Sequence, residues 1–272
     1  MITVAKNLYQ YRELIAALAW KNIVVRYKQS YLGLFWAVLK PLMLMLIFTL
    51  VKSFVGIDTG DIPYPILTFA ALMPWIFFQE SASEGVNSIT SNTSLIKKIY
   101  FPREVFPLTA MVTKLVELAI GFLILAGLMA YYQMLPTVQA LWVPLIIFYT
   151  MLVALTISFF GSALNVYYRD IAQALPVLLS LAMYASPVIY PLSLVKTKLI
   201  DEQAAGQWSE TLYTLYNINP LAGIIDSFQK CLLQGLAPDF SALLPGLIAT
   251  AILLPLSYLY FKKAENWFAD VI

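Results

Sequence analysis

The stretch Arg26-Tyr-Lys-Gln-Ser-Tyr-Leu-Gly-Leu-Phe-Trp-Ala-Val-Leu-Lys-Pro41 is basic, aromatic and polar, and it leads straight into an apolar run that continues to about Gly56. A helix of roughly 20 apolar residues is the length that crosses a bilayer core of about 30 Å. No backbone other than a helix can cross there as a single segment, because its N–H and C=O groups have no water to bond to. The cations that precede the run mark its cytoplasmic end.

The rest of the chain obeys the same constraint. Of 272 residues, 61% are hydrophobic and 12% charged, against about 25% charged in soluble domains. A core of this size cannot hide that much apolar surface, so lipid must solvate part of it. The first apolar run is too long, and begins too far from Met1, to read as a cleavable signal peptide. Histidine is absent and Cys231 stands alone, which removes disulfides, Cys/His metal clusters and imidazole chemistry.

The pattern predicts an all-α integral membrane protein with six spans, at about 35–56, 64–82, 106–132, 140–165, 171–191 and 242–261, forming one transmembrane unit over 34–272. Under this layout Lys6, Arg12, Lys21, Arg26, Lys28, Lys97, Lys98, Arg103, Arg169, Lys262 and Lys263 lie inside, and only Lys196, Lys198 and Lys230 outside. That asymmetry sets both termini on the cytoplasmic side. Lys40 and Lys52, near opposite ends of the first span, are expected to snorkel outward.

Residues 1–33 read as an amphipathic interfacial helix, with Leu8, Tyr11, Ile15 and Leu18 at helical spacing; packing on a partner is the other reading. In the inner loop, Ser88, Thr90, Ser91, Asn92, Thr93 and Ser94 can cap a short helix that Pro102 ends. Within it Leu95, Ile96, Ile99 and Tyr100 share a face, which predicts exposed apolar surface seeking either a groove on another protein or the lipid surface. The segment 192–241 is too polar to cross once and too apolar for a linker. It is expected to form two short helices that dip into the outer leaflet and return.

No Gly-x-x-x-x-Gly-Lys-Ser/Thr loop occurs and no nucleophile stands beside a base, so the chain offers no nucleotide site of that kind and no catalytic set. Asp58 and Asp61 read as an acidic outer turn, not a metal site. Lys114 and Glu117, three apart on the third span, can pair either as a helix contact or along a polar conduit. Glu80 and Glu84 are compatible with a solvated rim or a partner contact. Asp170 with Gln173 resembles a capping box, and Arg169 would stand at the inner mouth of any conduit. Tyr31, Phe35, Trp36, Tyr184 and Tyr190 belong either to interfacial belts or to the lining of a path, where ring faces suit sugars.

These motifs also carry a family resemblance. Arg26-Tyr-Lys-x-Ser-x-Leu-Gly-x-x-Trp36 with Lys40-Pro41, Asn92-x-x-Leu-Ile-Lys-Lys-Ile-Tyr-Phe-Pro-Arg103, Asn165-Val-x-x-Arg-Asp170 and Asn219-Pro220 resemble the membrane subunit of type-2 ABC exporters. Within that family the chain is most similar to permeases for lipid-linked polysaccharides: O-antigen, capsule and teichoic acid. The resemblance implies a homodimer in a bacterial cytoplasmic membrane, bound to two copies of a cytoplasmic ATPase that holds the ATP and Mg; no cofactor is expected on this chain and no nucleic acid partner. It implies that Leu95, Ile96, Lys97, Lys98, Ile99, Tyr100 and Phe101 couple to the ATPase, and that the lipid-linked end enters near Arg26, Tyr27 and Lys28. Tyr31, Phe35, Trp36, Tyr184 and Tyr190 would line the path, with Arg169 and Asp170 at a gate. Exporters of drugs and haem-related cargo share the fold, and a secondary transporter would also explain the Lys114–Glu117 pair; the Arg26–Trp36 collar favours a polymer.

Overall fold

A computed structural model describes residues 10–28, 35–56, 62–98, 101–201 and 209–268; Leu8, Tyr31, Asp58, Asp61, Ile99 and Tyr100 lie outside the described residues. Among the described residues the chain is helical throughout, with no strand. The principal helices are α1 (Arg12–Lys28), α2 (Phe35–Val55), α3 (Tyr64–Asn87), α4 (Thr93–Lys98), α5 (Val105–Tyr131), α6 (Val143–Tyr167), α7 (Asp170–Tyr184), α8 (Leu192–Lys196), α9 (Ser209–Asn217), α10 (Pro220–Gln229) and α11 (Phe240–Glu265).

Four segments among the described residues are long and apolar enough to cross a membrane: Phe35–Phe54, Val105–Tyr131, Val138–Tyr167 and Phe240–Glu265. The two other expected spans take different forms. Helix α3 has 24 residues but carries Gln79, Glu80 and Glu84. It is packed against α2, α5, α6, α7 and α10, so neighbouring helices and not lipid surround most of it. Helix α7 has only 15 residues and ends at Tyr184, before Pro187, where continuation to 191 was expected. At 1.5 Å per residue it is about 22 Å long, short of the bilayer core by itself.

Two apolar clusters hold the bundle. The larger centres on α3, where Phe69, Leu72 and Trp75 meet Met111 and Leu125 of α5, Ile146 and Val153 of α6, and Ile224 and Phe228 of α10. The smaller gathers Ile89, Ile96, Phe101, Val105, Phe106, Phe159, Phe261 and Phe268, with Tyr11, Leu14, Ile15 and Leu18 laid against it. The described part of the expected stripe, Tyr11, Ile15 and Leu18, therefore packs on this chain's own helices. Trp20 and Val25, on another side, are exposed instead.

Helices α3 and α6 approach closely because small residues face one another. A Cβ on Gly85 would run into Ser158, and one on Gly161 into Val86. The hydroxyl of Ser158 donates back to the Ala154 carbonyl (2.7 Å), so it brings no unsatisfied polar group into the contact. The short helix α10 starts on Asn219, whose Oδ1 accepts from the Leu221 amide (3.1 Å), with Pro220 in the first turn. The Asn219 Nδ2 also donates to Ser186 Oγ (2.8 Å), tying α10 to the chain just beyond α7.

Candidate functional site

Helices α1, α2, α3 and α5 converge on a charge cluster. Lys114 of α5 is 2% exposed. Its ammonium donates to Glu80 Oε2 (2.9 Å) and to Glu117 Oε1 (2.9 Å), and Glu84 Oε1 stands 3.4 Å away. The three donors of a lysine are thus matched by carboxylates from two helices. From α1, Arg26 Nη1 reaches Glu117 Oε1 at 2.7 Å while its other terminal nitrogen pairs with Glu84. From α2, Lys40 Nζ lies 2.5 Å from Glu80 Oε1. Arg26, Lys40 and Lys114 thereby balance Glu80, Glu84 and Glu117. Such a cluster tolerates burial only because each charge has a partner.

Tyr27 completes the cluster by donating from its hydroxyl to Glu117 Oε1 (3.1 Å). Burial raises its phenol above the usual range, and the negative charge of Glu117 adds to the effect. The hydroxyl stays protonated and remains a donor. Beside the cluster lies a cavity of about 290 Å³ walled by Arg26, Tyr27, Trp36, Lys40, Glu80, Lys114 and Glu117. A second cavity of about 540 Å³ shares the Arg26 wall and extends along Lys21, Asn22, Ser83, Glu84, Asn87, Ser91 and Asn92. Arg26, held by two carboxylates, lines both.

The residues singled out in the sequence are distributed as follows. Arg26, Tyr27 and Trp36 come together at the cavity, while Lys28 is exposed and does not line it. Arg26 is occupied by two glutamates. Lys40 pairs inward with Glu80 where snorkelling was expected, because a carboxylate lies within reach and the bilayer surface is no better a partner. Glu80 and Glu84, expected as a solvated rim or a partner contact, supply two of the three carboxylates of the cluster. The Lys114–Glu117 pair is present, with four further charged side chains around it.

Phe35 and Trp36 begin α2 and are half exposed. Tyr184 closes α7, also exposed, and Tyr190 donates to the Tyr184 carbonyl (3.1 Å). No described cavity contains both Trp36 and Tyr184; they mark opposite helix ends. Arg169 and Asp170 are exposed at the start of α7. Arg169 occupies the N-cap position, and no side chain caps the helix. The capping box expected of Asp170 and Gln173 is therefore not formed; Asp170, one residue too late, only places its charge in the first turn.

The short helix α4 departs most from expectation. It forms, over Thr93–Lys98, but Ile96 is 2% exposed and sits in the smaller cluster with Phe101, while Leu95 is half buried against it. Of the four residues of the expected apolar face, the two described, Leu95 and Ile96, pack on this chain. What the helix shows outward is Ser94, Lys97 and Lys98. Asn165 Nδ2 anchors the turn before it, 3.3 Å from each of the Val86 carbonyl, Asn87 Oδ1 and Thr90 Oγ1. On the other side, Arg103 donates its backbone N–H to Glu265 (3.0 Å) and Glu104 holds Lys262 (2.8 Å), joining the segment to the end of α11.

The pairing of α3 with α2 and α1 was legible only in part. Its signal is that opposite charges occur at matched depth on three predicted spans, Lys40, Glu80 with Glu84, and Lys114 with Glu117.

Residues 13–233 match the family model described as ABC-2 type transporter. Over the full length of both chains the sequence is 29% identical to an O-antigen export system permease protein of Myxococcus xanthus. It is 27% identical to a protein of the same description from Klebsiella pneumoniae, over 98% of this chain and 97% of that one. It is 25% identical to a capsule polysaccharide export inner-membrane protein of Neisseria meningitidis serogroup B over 59% of each.

Proposed function

The chain belongs to the ABC-2 type transporter family, and from that premise we propose that it is the permease of an exporter of lipid-linked polysaccharide, driven by ATP hydrolysis on a separate ABC ATPase. The observation that carries this reading is the end-to-end similarity to permeases named for O-antigen export. The permease works as a homodimer in a bacterial cytoplasmic membrane, with two ATPase copies binding ATP and Mg.

In this reading the four long apolar helices are joined by α3 and by α7 with the chain beyond it, giving six spans with both termini inside. The short helices α9 and α10 enter from the outer face and return. The surfaces left bare on one chain support the dimer: Leu50 and Phe54 on α2, and Val177, Leu181 and Tyr184 on α7. A second copy over these faces would enclose a path lined by Trp36 at the inner end and Tyr184 at the outer. The segment Leu95–Phe101 is the coupling element, and Arg169 with Asp170 guards the inner mouth.

The charge cluster receives the phosphorylated end of the substrate. A pyrophosphate reaching Arg26, Tyr27 and the nearby Lys28 would compete with Glu84 and Glu117 for the guanidinium fork, and so loosen α1 from α3 and α5. The role of Arg26 in this reading is thus exchange of one anionic partner for another. The test is export of surface polysaccharide in cells carrying Arg26→Gln or Arg26→Lys, at equal membrane abundance. Wild-type export by Arg26→Gln would remove substrate recognition from this site; export of small lipophilic molecules instead of polymer would overturn the substrate class.

A further inference from the structure

The packing of α4 constrains the chemistry of whatever it docks on. Ile96 is buried against Ile89, Phe101 and Phe106, and Leu95 leans on the same cluster, so among the described residues the apolar side chains of Thr93–Lys98 lie against this chain. Its exposed side chains are Ser94, Lys97 and Lys98, continued upstream by exposed Ser91. Lys21 of α1 is also exposed and shares a cavity wall with Ser91 and Asn92, extending the basic surface across to the neighbouring helix. The carboxylates on the flanking elements are already committed: Glu84 to Arg26 and Lys114, and Glu104 and Glu265 to Lys262. Among the described residues Lys21, Lys97 and Lys98 make no ion pair.

We propose that α4 docks electrostatically, and that its seat on the ATPase subunit is a cleft lined by carboxylates. This deepens the exporter reading and rests on it. Two features favour an acidic protein surface over lipid headgroups. A helix that lies in the membrane interface needs apolar side chains to insert, and those of α4 point into its own chain. The hydroxyls of Ser91 and Ser94 beside the lysines suit a polar protein rim, where donors and acceptors are paired at fixed positions. Because the charges are exposed, they steer association and their effect is screened by salt.

The test measures affinity between the full-length permease in nanodiscs and its full-length ATPase at low and at high ionic strength. Wild-type affinity should fall as salt rises. K97E/K98E should bind roughly 10- to 100-fold more weakly at low salt, K97Q/K98Q should bind less weakly than that and lose much of the salt dependence, and K97R/K98R should match wild type. Both lysines are exposed, so an unchanged elution profile will confirm that each variant folds. Wild-type binding that withstands both high salt and K97E/K98E would overturn the inference while leaving the exporter reading intact. A wild-type permease that binds no ABC ATPase at any ionic strength would overturn both.

Discussion

Replacing Lys114 with methionine should destabilise this protein more than any other single change in the charge cluster. The ammonium is 2% exposed and lies within 3.4 Å of Glu80, Glu84 and Glu117. Methionine fills similar space but leaves three carboxylates facing two cations, Arg26 and Lys40. Removing one partner of a buried charge network costs about 3–5 kcal/mol, because the remaining charge must be desolvated without compensation. For a domain of this size that corresponds to a melting point roughly 10 °C lower. The assay is thermal denaturation of the detergent-solubilised permease, followed by the loss of its monodisperse elution peak. The double variant K114M/E117Q restores the balance of charge and should recover part of the loss, with a coupling of about 0.5–3 kcal/mol. If K114M melts with wild type, or if E117Q adds its full penalty on top of it, the cluster is not a mutually compensating unit and the reasoning fails.

Gly85→Leu should prevent α3 and α6 from closing, since even a Cβ there meets Ser158; a loss of about 1–3 kcal/mol and poor membrane yield are expected, while Gly127→Ala, with open space around it, should behave as wild type. Asn165→Ala removes the donor shared among Val86, Asn87 and Thr90 and should cost about 1–3 kcal/mol, seen as faster hydrogen exchange across 86–98. Ile96→Asp should abolish folding of the inner end as well as export, because it buries a charge among Ile89, Phe101 and Phe106; retained thermal stability would show that this face is exposed after all. Cys231 is fully buried, and burial, with the charge of Asp226 second, pushes its thiol up to about 11. Maleimide should therefore fail to label the folded protein at neutral and mildly alkaline pH and label it fully once unfolded.

Helical class and the positions of the long apolar helices were legible because each depends on local composition and length. The helix starting at Phe35 and the one ending at Glu265 follow directly from apolar runs bounded by charge. Partner choice was not legible in the same way. Glu80 and Glu84 looked like a polar helix end, and only the fold brings Lys40 onto Glu80 and Arg26, distant in sequence, onto Glu84. Ile96 shows the reverse: apolar spacing on a short loop helix predicted exposure, whereas the turn held by Asn165 sets Ile96 among Phe101 and Phe106. Periodicity identifies a face but not what covers it. The early end of α7 at Tyr184 was signalled by Pro187, which an apolar count over 171–191 passes over.

The central claim is that this chain moves a lipid-linked polysaccharide with energy supplied by a partner ATPase. Its most direct measurement is transport in reconstituted proteoliposomes containing the permease, its ATPase and a radiolabelled lipid-linked glycan on one face. The glycan should become accessible to a glycosidase on the opposite face only with ATP and Mg, and not when the ATPase carries an inactivating substitution in its own nucleotide site. Translocation that proceeds at the same rate without ATP, or ATP-driven movement that carries the lipid but excludes every glycan supplied, would contradict it.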